Sequence, residues 1–511
     1  MSPPSSQRAF VRGWLGRPMW LVFISSACSM VLELVAGRII APYVGVSLYT
    51  WTTVIGVVLA GISLGNFLGG WLADRWASPR LLGLTFLLGG LACFGILAVD
   101  ALGAHLPGHW PVVVQILVLT AALFFLPSLL LGGVSPIVAK LAVQDLARTG
   151  STVGRIYAAG AAGSIVGTFA SGYVLIAQFG THAIVWGVAV LLISMGLIFV
   201  LFGRGRLLVL LFLAAAIGGM AWAAGRGWLR GPCDLETNYF CVRVQEQEQE
   251  GQAVRALVLD RLVHSYSSLS DPTRLVYGYE QVYAQVTAQR ARAKPNLRAL
   301  FIGGGGYTFP RYMEAVYPQS EMTVIELDPG VTRTAYDALG LMRDTRIASH
   351  NEDARLFMVK NPPQPYDLIL GDAFNDYSVP YHLTTLEFHR RVRAWLAPDG
   401  VYMVNLIDGG RRDFLRASIY TLQQTFGNVY VVPAHTAWRD SPRMTYVLIA
   451  ADTALDLSTI QLPGDGGSQV NPVLGDDEVR SLLAQGRTVL LTDRYAPVEQ
   501  MLAPVFRGES Q

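Results

Sequence analysis

Seven long apolar stretches in the first 225 residues constrain the fold more than any other feature of the chain. Each is about 20 residues long, the length that an α-helix needs to cross the hydrocarbon core of a bilayer. The composition agrees, because 52% of the residues are hydrophobic and only 15% are charged. The predicted spans are approximately 20–41, 51–72, 81–102, 111–134, 156–178, 182–202 and 206–225.

The basic residues alternate between the connections of these spans. Lys and Arg precede the first span and recur in every second connection, and the other connections contain almost none. The positive-inside rule therefore predicts a multi-pass protein of the cell (inner) membrane with a cytoplasmic N-terminal segment, residues 1–19. Because seven is odd, the same rule predicts that the part after residue 225 lies outside the cytoplasm.

The first span contains two charges, Glu33 and Arg38. Charged side chains are costly in hydrocarbon and are expected to face the bundle interior or an interface, either as a structural pair or in a transport pathway. Small residues are dense at 61–70 and 158–167, where they predict close helix packing. The segment GGWLADR (69–75) is similar to a loop of major facilitator transporters, but seven spans are too few for their usual twelve helices.

The pattern changes after Cys233. Cys233 and Cys241 flank a short polar segment, and a disulfide between them is one possibility if this side is oxidising. Alternating segments at 239–247 and 254–266 then predict two antiparallel strands, and therefore a β-hairpin subdomain over residues 233–270.

Residues 271–511 have the pattern of a doubly wound α/β domain. A helical segment at 274–292 is followed by an apolar strand, four glycines (Gly303, Gly304, Gly305 and Gly306) and a second helix. Glycines let a backbone approach a ligand, and a helix N-terminus offers free N–H groups. Glu326 ends the next strand about twenty residues later, where an acid can accept the ribose hydroxyls of a nucleoside.

Two further aspartates follow later strands of this domain. Asp353 is placed either to bind an adenine amino group or to cap the N-terminus of the following helix. Asp372 ends the strand at 366–371. Because ligands in open α/β sheets bind beyond the carboxyl ends of the strands, Asp372 is expected to lie at the reactive centre.

The charge distribution excludes one class of partner. The net charge is +2 and no block of Lys and Arg is present, so nucleic-acid binding is not predicted. No group of His, Cys, Asp and Glu has metal-ligand spacing in the sequence, so no metal is predicted either.

An ordered set of motifs in the C-terminal part resembles the spermidine synthase (polyamine aminopropyltransferase) family, in the bacterial membrane-integral form fused to transporter-like helices. The resemblance covers about residues 236–450, and one further motif lies beyond it. The motifs are LDRLVHSY (259–266), LFIGGGGYTFPR (300–311), VIELDP (324–329), EDARLFM (352–358), YDLILGDAF (366–374), VPYHLTTLEF (379–388) and TDRYAPVE (492–499).

This resemblance implies a Rossmann-like domain of the class I methyltransferase type and an aminopropyl transfer. The donor would be decarboxylated S-adenosylmethionine, the acceptor a polyamine such as putrescine, and the released product methylthioadenosine. Asp372 matches the family's base, which must deprotonate the cationic amine before it can attack. The glycines, Tyr307, Glu326, Asp353 and Asp372 fall at donor-binding positions. By the same analogy the protein is expected to form a homodimer within a lipid bilayer.

Three positions depart from the family pattern. Tyr307 stands where relatives have an aspartate that holds the aminopropyl amine, which opens the alternative of ordinary S-adenosylmethionine as donor. His264 replaces a glutamine, and it either orients the substrate and titrates near neutrality or has a structural role. Asn375, with Asp376 beside it, replaces a second acid that grips the acceptor.

Tyr277 and Tyr279 both fall near the tyrosine that lines the family's substrate site, and core packing would explain either residue equally well. The departures leave two alternatives to aminopropyl transfer. One is another S-adenosylmethionine-dependent transferase, moving a methyl or an aminocarboxypropyl group. The other is a transporter or sensor that binds a nucleoside or a polyamine without turnover.

Overall fold

The structure is a computed structural model, and it describes residues 18–143, 146–201, 206–227, 231–373, 379–439, 441–463 and 468–507. The chain divides into two compact units, Met1–Cys241 and Val242–Gln511. Most of the predicted cytoplasmic segment 1–19 lies outside the described residues.

The first unit consists mainly of helices. Within the described residues, seven of them are long and apolar enough to cross a membrane, in agreement with the seven predicted spans. These are α1 (Pro18–Val44), α2 (Leu48–Trp76), α3 (Pro79–Ile96), α5 (Val112–Ala142), α6 (Thr149–Gln178), α7 (Thr181–Leu201) and α8 (Arg206–Gly225), with the short α4 (Val99–Ala104) between α3 and α5.

Glycines bring these helices into backbone contact, as the small-residue segments predict. A Cβ added to Gly65 of α2 would lie 2.0 Å from the carbonyl oxygen of Leu129 on α5. A Cβ added to Gly163 of α6 would lie 2.1 Å from the carbonyl oxygen of Phe23 on α1. Larger side chains at these two positions would push the helices apart.

The segment after the helices is tied to the first unit by covalent and polar contacts. Cys233 and Cys241 form a disulfide, so the structure adopts the pairing that the sequence left open. The short strand β1 (Leu235–Glu236) lies between them. The Glu236 carboxylate accepts hydrogen bonds from the backbone N–H and the hydroxyl of Thr181, both at 2.7 Å, and so caps the N-terminus of α7.

A small antiparallel sheet begins the second unit. The last three of its four strands are β2 (Cys241–Gln249), β3 (Gln252–Leu259) and β4 (Leu262–Ser267), and β3 pairs with both β2 and β4. The prediction of one continuous strand over 254–266 is wrong. Asp260 has a φ of 52°, a left-handed conformation that aspartate tolerates better than most residues, and the chain reverses there to make a second hairpin.

The rest of the second unit is built on a seven-stranded mixed sheet, which confirms the predicted doubly wound α/β class. The strand order is β10-β11-β9-β8-β5-β6-β7, and β11 runs in the direction opposite to that of the other six strands. The strands are β5 (Arg298–Ile302), β6 (Glu321–Ile325), β7 (Ala348–His350), β8 (Tyr366–Gly371), β9 (Leu396–Gly409), β10 (Asn428–Pro433) and β11 (Arg443–Ala451); β12 (Leu462–Pro463) and β13 (Gln469–Val470) form a separate pair.

Helices flank the large sheet. They are α9 (Gly278–Ala293), α10 (Thr308–Val316), α11 (Pro329–Ala338), α12 (Ala354–Lys360), α13 (Leu386–Trp395), α14 (Asp413–Gln423), α15 (Asp476–Ala484) and α16 (Val498–Arg507). The strands β5 and β8 are almost entirely buried, as expected for the centre of a parallel sheet covered on both faces. The carboxyl ends of β6, β5 and β8 therefore lie side by side, each next to the one before.

Candidate active site

The glycine loop after β5 is held against the ends of both neighbouring strands. The N–H of Gly303 donates to the carbonyl oxygen of Ile325 on β6, at 2.9 Å, and the N–H of Asp372 donates to that of Ile302, at 2.8 Å. Gly303 has a φ of 97°, and a Cβ there would lie 2.3 Å from the carbonyl oxygen of Asp372. Only glycine fits this position, so the loop and Asp372 are held in a single arrangement.

Glu326 is joined to the same loop. One carboxylate oxygen accepts the N–H groups of Gly304, at 2.8 Å, and Gly305, at 3.2 Å, and the other accepts the N–H of Asp328 at 2.9 Å. Burial raises the pKa of Glu326, and these N–H groups oppose that effect. Since a carboxylate offers about four lone-pair sites, the three bonds leave room for a further donor such as a ribose hydroxyl.

Asp353 is used within the protein. One oxygen accepts the backbone N–H of Leu356 at 2.9 Å, which caps the N-terminus of α12, and the other lies 2.8 Å from Nε2 of His382. The helix-cap interpretation of this residue therefore describes the structure. Two bonds leave lone pairs on this carboxylate for a further donor, so its contact with an adenine amino group stays a prediction.

Asp372 lies just beyond β8, as predicted, in surroundings that perturb its charge. Burial raises its pKa to about 6, although hydrogen bonds from Asn405 and Tyr279 favour the ionised form. The Nδ2 amide of Asn405 donates to Oδ1 of Asp372 at 2.8 Å. A carboxylate with this pKa is ionised at neutral pH and can still accept a proton, which is the requirement for a general base.

Glu280, in the first turn of α9, is a second acid of this site that the sequence analysis missed. It is only 2% exposed, and its Oε2 has no hydrogen-bond partner among the described residues. Burial, followed by the charge of Asp372, raises the pKa of Glu280 to about 8. The two carboxyl groups therefore differ at pH 7, where Asp372 is ionised and Glu280 is protonated.

Tyrosine rings surround these acids. The rings of Tyr277 and Tyr279 are tilted by 31° with their centroids 5.4 Å apart. Tyr277 also contacts Tyr266 at 5.0 Å, and Tyr279 contacts Tyr283 at 5.5 Å. The hydroxyl of Tyr277 donates to the carbonyl oxygen of Val263 at 2.9 Å. The structure thus brings both predicted tyrosines together. Aromatic faces beside carboxylates are suited to holding an organic cation.

Known proteins resemble parts of the chain. No family model matches it. A polyamine aminopropyltransferase of Vibrio vulnificus is 34% identical over 137 residues, which are 26% of this chain and 44% of that protein. Polyamine aminopropyltransferase 2 of Streptomyces coelicolor is 26% identical over 439 residues, which are 78% of this chain and 75% of that protein. The chain is similar to the polyamine aminopropyltransferases.

The match is partial for some of these relatives, since the chain spans less than half the length of the Vibrio protein. A solved structure of a probable spermidine synthase from Corynebacterium glutamicum aligns with 50% of this chain and 96% of that one, at 24% identity and a TM-score of 0.43.

Two of the departures from the family pattern can be located in the structure. Tyr307 has a φ of 56° and a fully buried side chain, whose hydroxyl lies 3.2 Å from the hydroxyls of Thr332 and Ser349. The ring is therefore turned away from the open side of the loop, and only the Tyr307 backbone is available to a donor. The Tyr307 side chain therefore packs in the core of the unit and does not face the ligand.

His264, near the middle of β4, is not a neutral-pH switch. Burial, assisted by the charge of Arg443, lowers its pKa to about 4, so the imidazole is neutral at pH 7. The interpretation that it titrates near neutrality is wrong, because the surroundings disfavour the charged form. Asn375 and Asp376, the third departure, lie outside the described residues.

Proposed function

We propose that the C-terminal unit is an aminopropyltransferase. It would move the aminopropyl group of decarboxylated S-adenosylmethionine to a polyamine acceptor such as putrescine and release methylthioadenosine. The observation that carries this proposal is the unequal pair of buried acids, Asp372 and Glu280, among tyrosine rings and next to a glycine loop. The relatives named polyamine aminopropyltransferase support it.

The donor would bind along the carboxyl ends of β5 and β6. Glu326 is already aligned by the loop amides and retains capacity for a ribose hydroxyl. The glycines permit close approach of the nucleoside to the backbone. Aligning the donor carbon with the acceptor nitrogen would supply a large part of the rate, because the sulfonium is already a good leaving group.

The acceptor amine reaches the protein as a cation and must lose a proton. Ionised Asp372 attracts the ammonium group, orients it and takes one proton from its nitrogen. The freed lone pair then forms a bond to the carbon next to sulfur, the carbon–sulfur bond breaks, and its electron pair stays on sulfur. The tyrosine faces would hold the methylene chain and stabilise the remaining positive charge.

The proposal also includes the side of the membrane on which the C-terminal unit lies. Loop charges favour an extracytoplasmic C-terminal unit, and the disulfide between Cys233 and Cys241 supports an oxidising environment for the segment that leads into it. The donor is a cytosolic metabolite, so this orientation would require its delivery across the membrane. Homodimer formation stays a prediction from the family resemblance.

The test is an assay of the purified full-length protein with 1,4-diaminobutane and either decarboxylated or ordinary S-adenosylmethionine. We expect methylthioadenosine and an aminopropylated amine with the decarboxylated donor, both identified by mass. The absence of methylthioadenosine with that donor would contradict the proposal.

A second candidate is transfer from ordinary S-adenosylmethionine. It is favoured by Tyr307, whose buried ring replaces the acid that would otherwise repel the donor's carboxylate. In the same assay, S-adenosylhomocysteine would indicate methyl transfer. Methylthioadenosine formed from the ordinary donor would indicate aminocarboxypropyl transfer.

A further inference from the structure

A polar cavity lies between four helices of the membrane-compatible unit, α1, α2, α5 and α6. Its empty volume is about 820 Å³, including the open mouth. Seven of its lining residues carry a hydroxyl or an amide group, which is a high proportion for a bundle of apolar helices. They are Ser25, Ser26, Ser29, Asn66, Ser135, Tyr157 and Ser164.

These polar groups are concentrated on one side of α1. A second cavity, between α1, α6 and α7, is lined by residues such as Phe23, Ala27 and Val31, and it contains no serine, threonine, asparagine or charged side chain. Simple packing of small residues would not sort hydroxyls onto one face in this way. The polar lining of this cavity therefore requires an explanation other than helix packing, and polar groups within a membrane bundle commonly mark a binding site.

Ser29 shows that this chemistry is not satisfied within the protein. Its side chain is 8% exposed, lines the cavity, and its Oγ has no hydrogen-bond partner among the described residues. Ser25, one turn away, donates only a long bond of 3.4 Å to the carbonyl oxygen of Leu131. An unpaired buried hydroxyl destabilises a protein by about 1–3 kcal/mol unless a ligand or water pairs with it.

Glu33 is an acid on the Ser29 face of α1, one turn beyond the residues that line the cavity. It follows Ser29 by four residues on α1, and residues with this spacing are neighbours on one side of a helix. Its Oε2 is buried and has no partner among the described residues. Arg38, the nearest basic residue on α1, instead donates to the backbone carbonyls of Thr237 and Asn238. Of the alternatives that the sequence left open for these two charges, Arg38 is engaged by backbone carbonyls rather than by Glu33.

We propose that this cavity binds a small organic cation of the alkylamine class. Hydroxyl and amide oxygens accept the N–H groups of an ammonium, and Glu33, one helical turn beyond Ser29, would supply the opposite charge. The cavity lining includes no basic side chain among the described residues, which disfavours an anion. The site is separate from Asp372, and the proposal does not depend on the reaction proposed for the C-terminal unit.

The test uses protection of a cysteine introduced into the cavity. The full-length protein with Ser135→Cys, reconstituted in lipid nanodiscs, is labelled with a small cationic methanethiosulfonate reagent. We expect 1,4-diaminobutane to slow labelling in a saturable way, and its neutral isostere 1,4-butanediol to have no effect. Glu33→Gln in the same background removes the negative charge and should weaken the apparent amine affinity about tenfold or more. A tenfold change corresponds to about 1.4 kcal/mol.

Matched variants separate binding from misfolding. Ser151→Cys, exposed at the start of α6, should label at the same rate with and without the amine. Ser29→Ala should weaken protection while Asp372→Asn preserves it, which distinguishes this site from the C-terminal one. If Glu33→Gln elutes as the parent does and protection is unchanged, or if the diol protects equally, the cavity binds no amine cation and the proposal is overturned.

Discussion

The two buried acids of the candidate site have different charges because their surroundings differ. Asp372 receives hydrogen bonds from Asn405 and Tyr279, which favour its ionised form, and its pKa is raised only to about 6. Glu280 has a buried oxygen without a partner among the described residues, and its pKa is raised to about 8. A cationic substrate entering between them would favour ionisation of both.

Replacing the base should remove turnover and spare donor binding. We expect Asp372→Asn to lower kcat by about a hundredfold or more, because the amide cannot accept the proton from the ammonium group. The Kd of the donor, measured by calorimetry, should change little. Asp344→Asn, at an exposed position of the same unit, is the matched control and should retain full activity. Equal activity in both variants would exclude Asp372 as the base.

The pH dependence of the reaction should report Asp372. Protonation removes the base, so kcat/KM should fall as the pH decreases through about 6. Asn405→Ala removes a donor that stabilises the ionised form, and this raises the pKa of Asp372. The acidic limb of the profile should therefore move to higher pH in the variant. An unchanged or downward shift would contradict the assigned hydrogen bond.

Glu280 should make the second unit less stable at high pH. Its folded pKa, about 8, is above the ordinary value of 4.5, so its stabilising contribution is present below pH 4.5 and is lost as the pH rises through 8. Glu280→Gln should remove this part of the dependence, which is a few kcal/mol because each pKa unit corresponds to about 1.4 kcal/mol. Thermal unfolding of the full-length protein between pH 5 and pH 8 measures it, and parallel curves for both proteins would be evidence against the buried acid.

At these positions the sequence predicts where a residue lies in the fold better than it predicts the burial and hydrogen bonds around its side chain. Asp372 could be placed because it ends an apolar strand, and strand ends form the ligand edge of such a sheet. Glu280 could not, because an acid in the first turn of a helix is commonly an exposed helix-terminus charge. Its two neighbouring tyrosines were the only signal. The burial of the Tyr307 ring depends on a left-handed backbone that the sequence does not reveal.

At the scale of elements, the large sheet was predictable and the small sheet less so. Apolar runs that end in glycine or an acid marked β5, β6 and β8 correctly. The break between β3 and β4 was missed because the residues on both sides continue an alternating pattern. Reversal there depends on the conformation of Asp260, and many polar residues can occupy such a turn.

Two glycines of the loop should respond differently to the same substitution. Gly303→Ala places a Cβ against the Asp372 carbonyl oxygen and forces a φ of 97° on alanine, so we expect strong destabilisation and loss of activity. The Cβ of Gly305→Ala would have no atom within 4 Å, and the alanine would adopt a φ of 47°. We therefore expect this variant to destabilise the folded protein by only about 1–2 kcal/mol. Melting temperatures and kcat of both variants test this, and equal effects would show that the contact with Asp372 is unimportant.

At the scale of the whole molecule, hydropathy alone identified the seven helices, because length and apolarity suffice to define a span. It did not reveal the polar cavity among them. The positions of Ser29, Asn66 and Ser135 in three separate helices become a site only once the helices are packed. Side chains from distant parts of the sequence share a surface there, and no local pattern encodes that.

The membrane orientation should place the C-terminal unit outside the cytoplasm. Basic residues favour the cytoplasm at alternate connections, and the disulfide between Cys233 and Cys241 would be reduced there. We expect a C-terminal alkaline phosphatase fusion to be active in bacterial cells and a matched green fluorescent protein fusion at the same position to be dark. After disruption of the cells, gel mobility should show the oxidised pair in the parent and its loss in Cys233→Ser. A fluorescent fusion with reduced cysteines would instead place the candidate active site on the side where its donor is made.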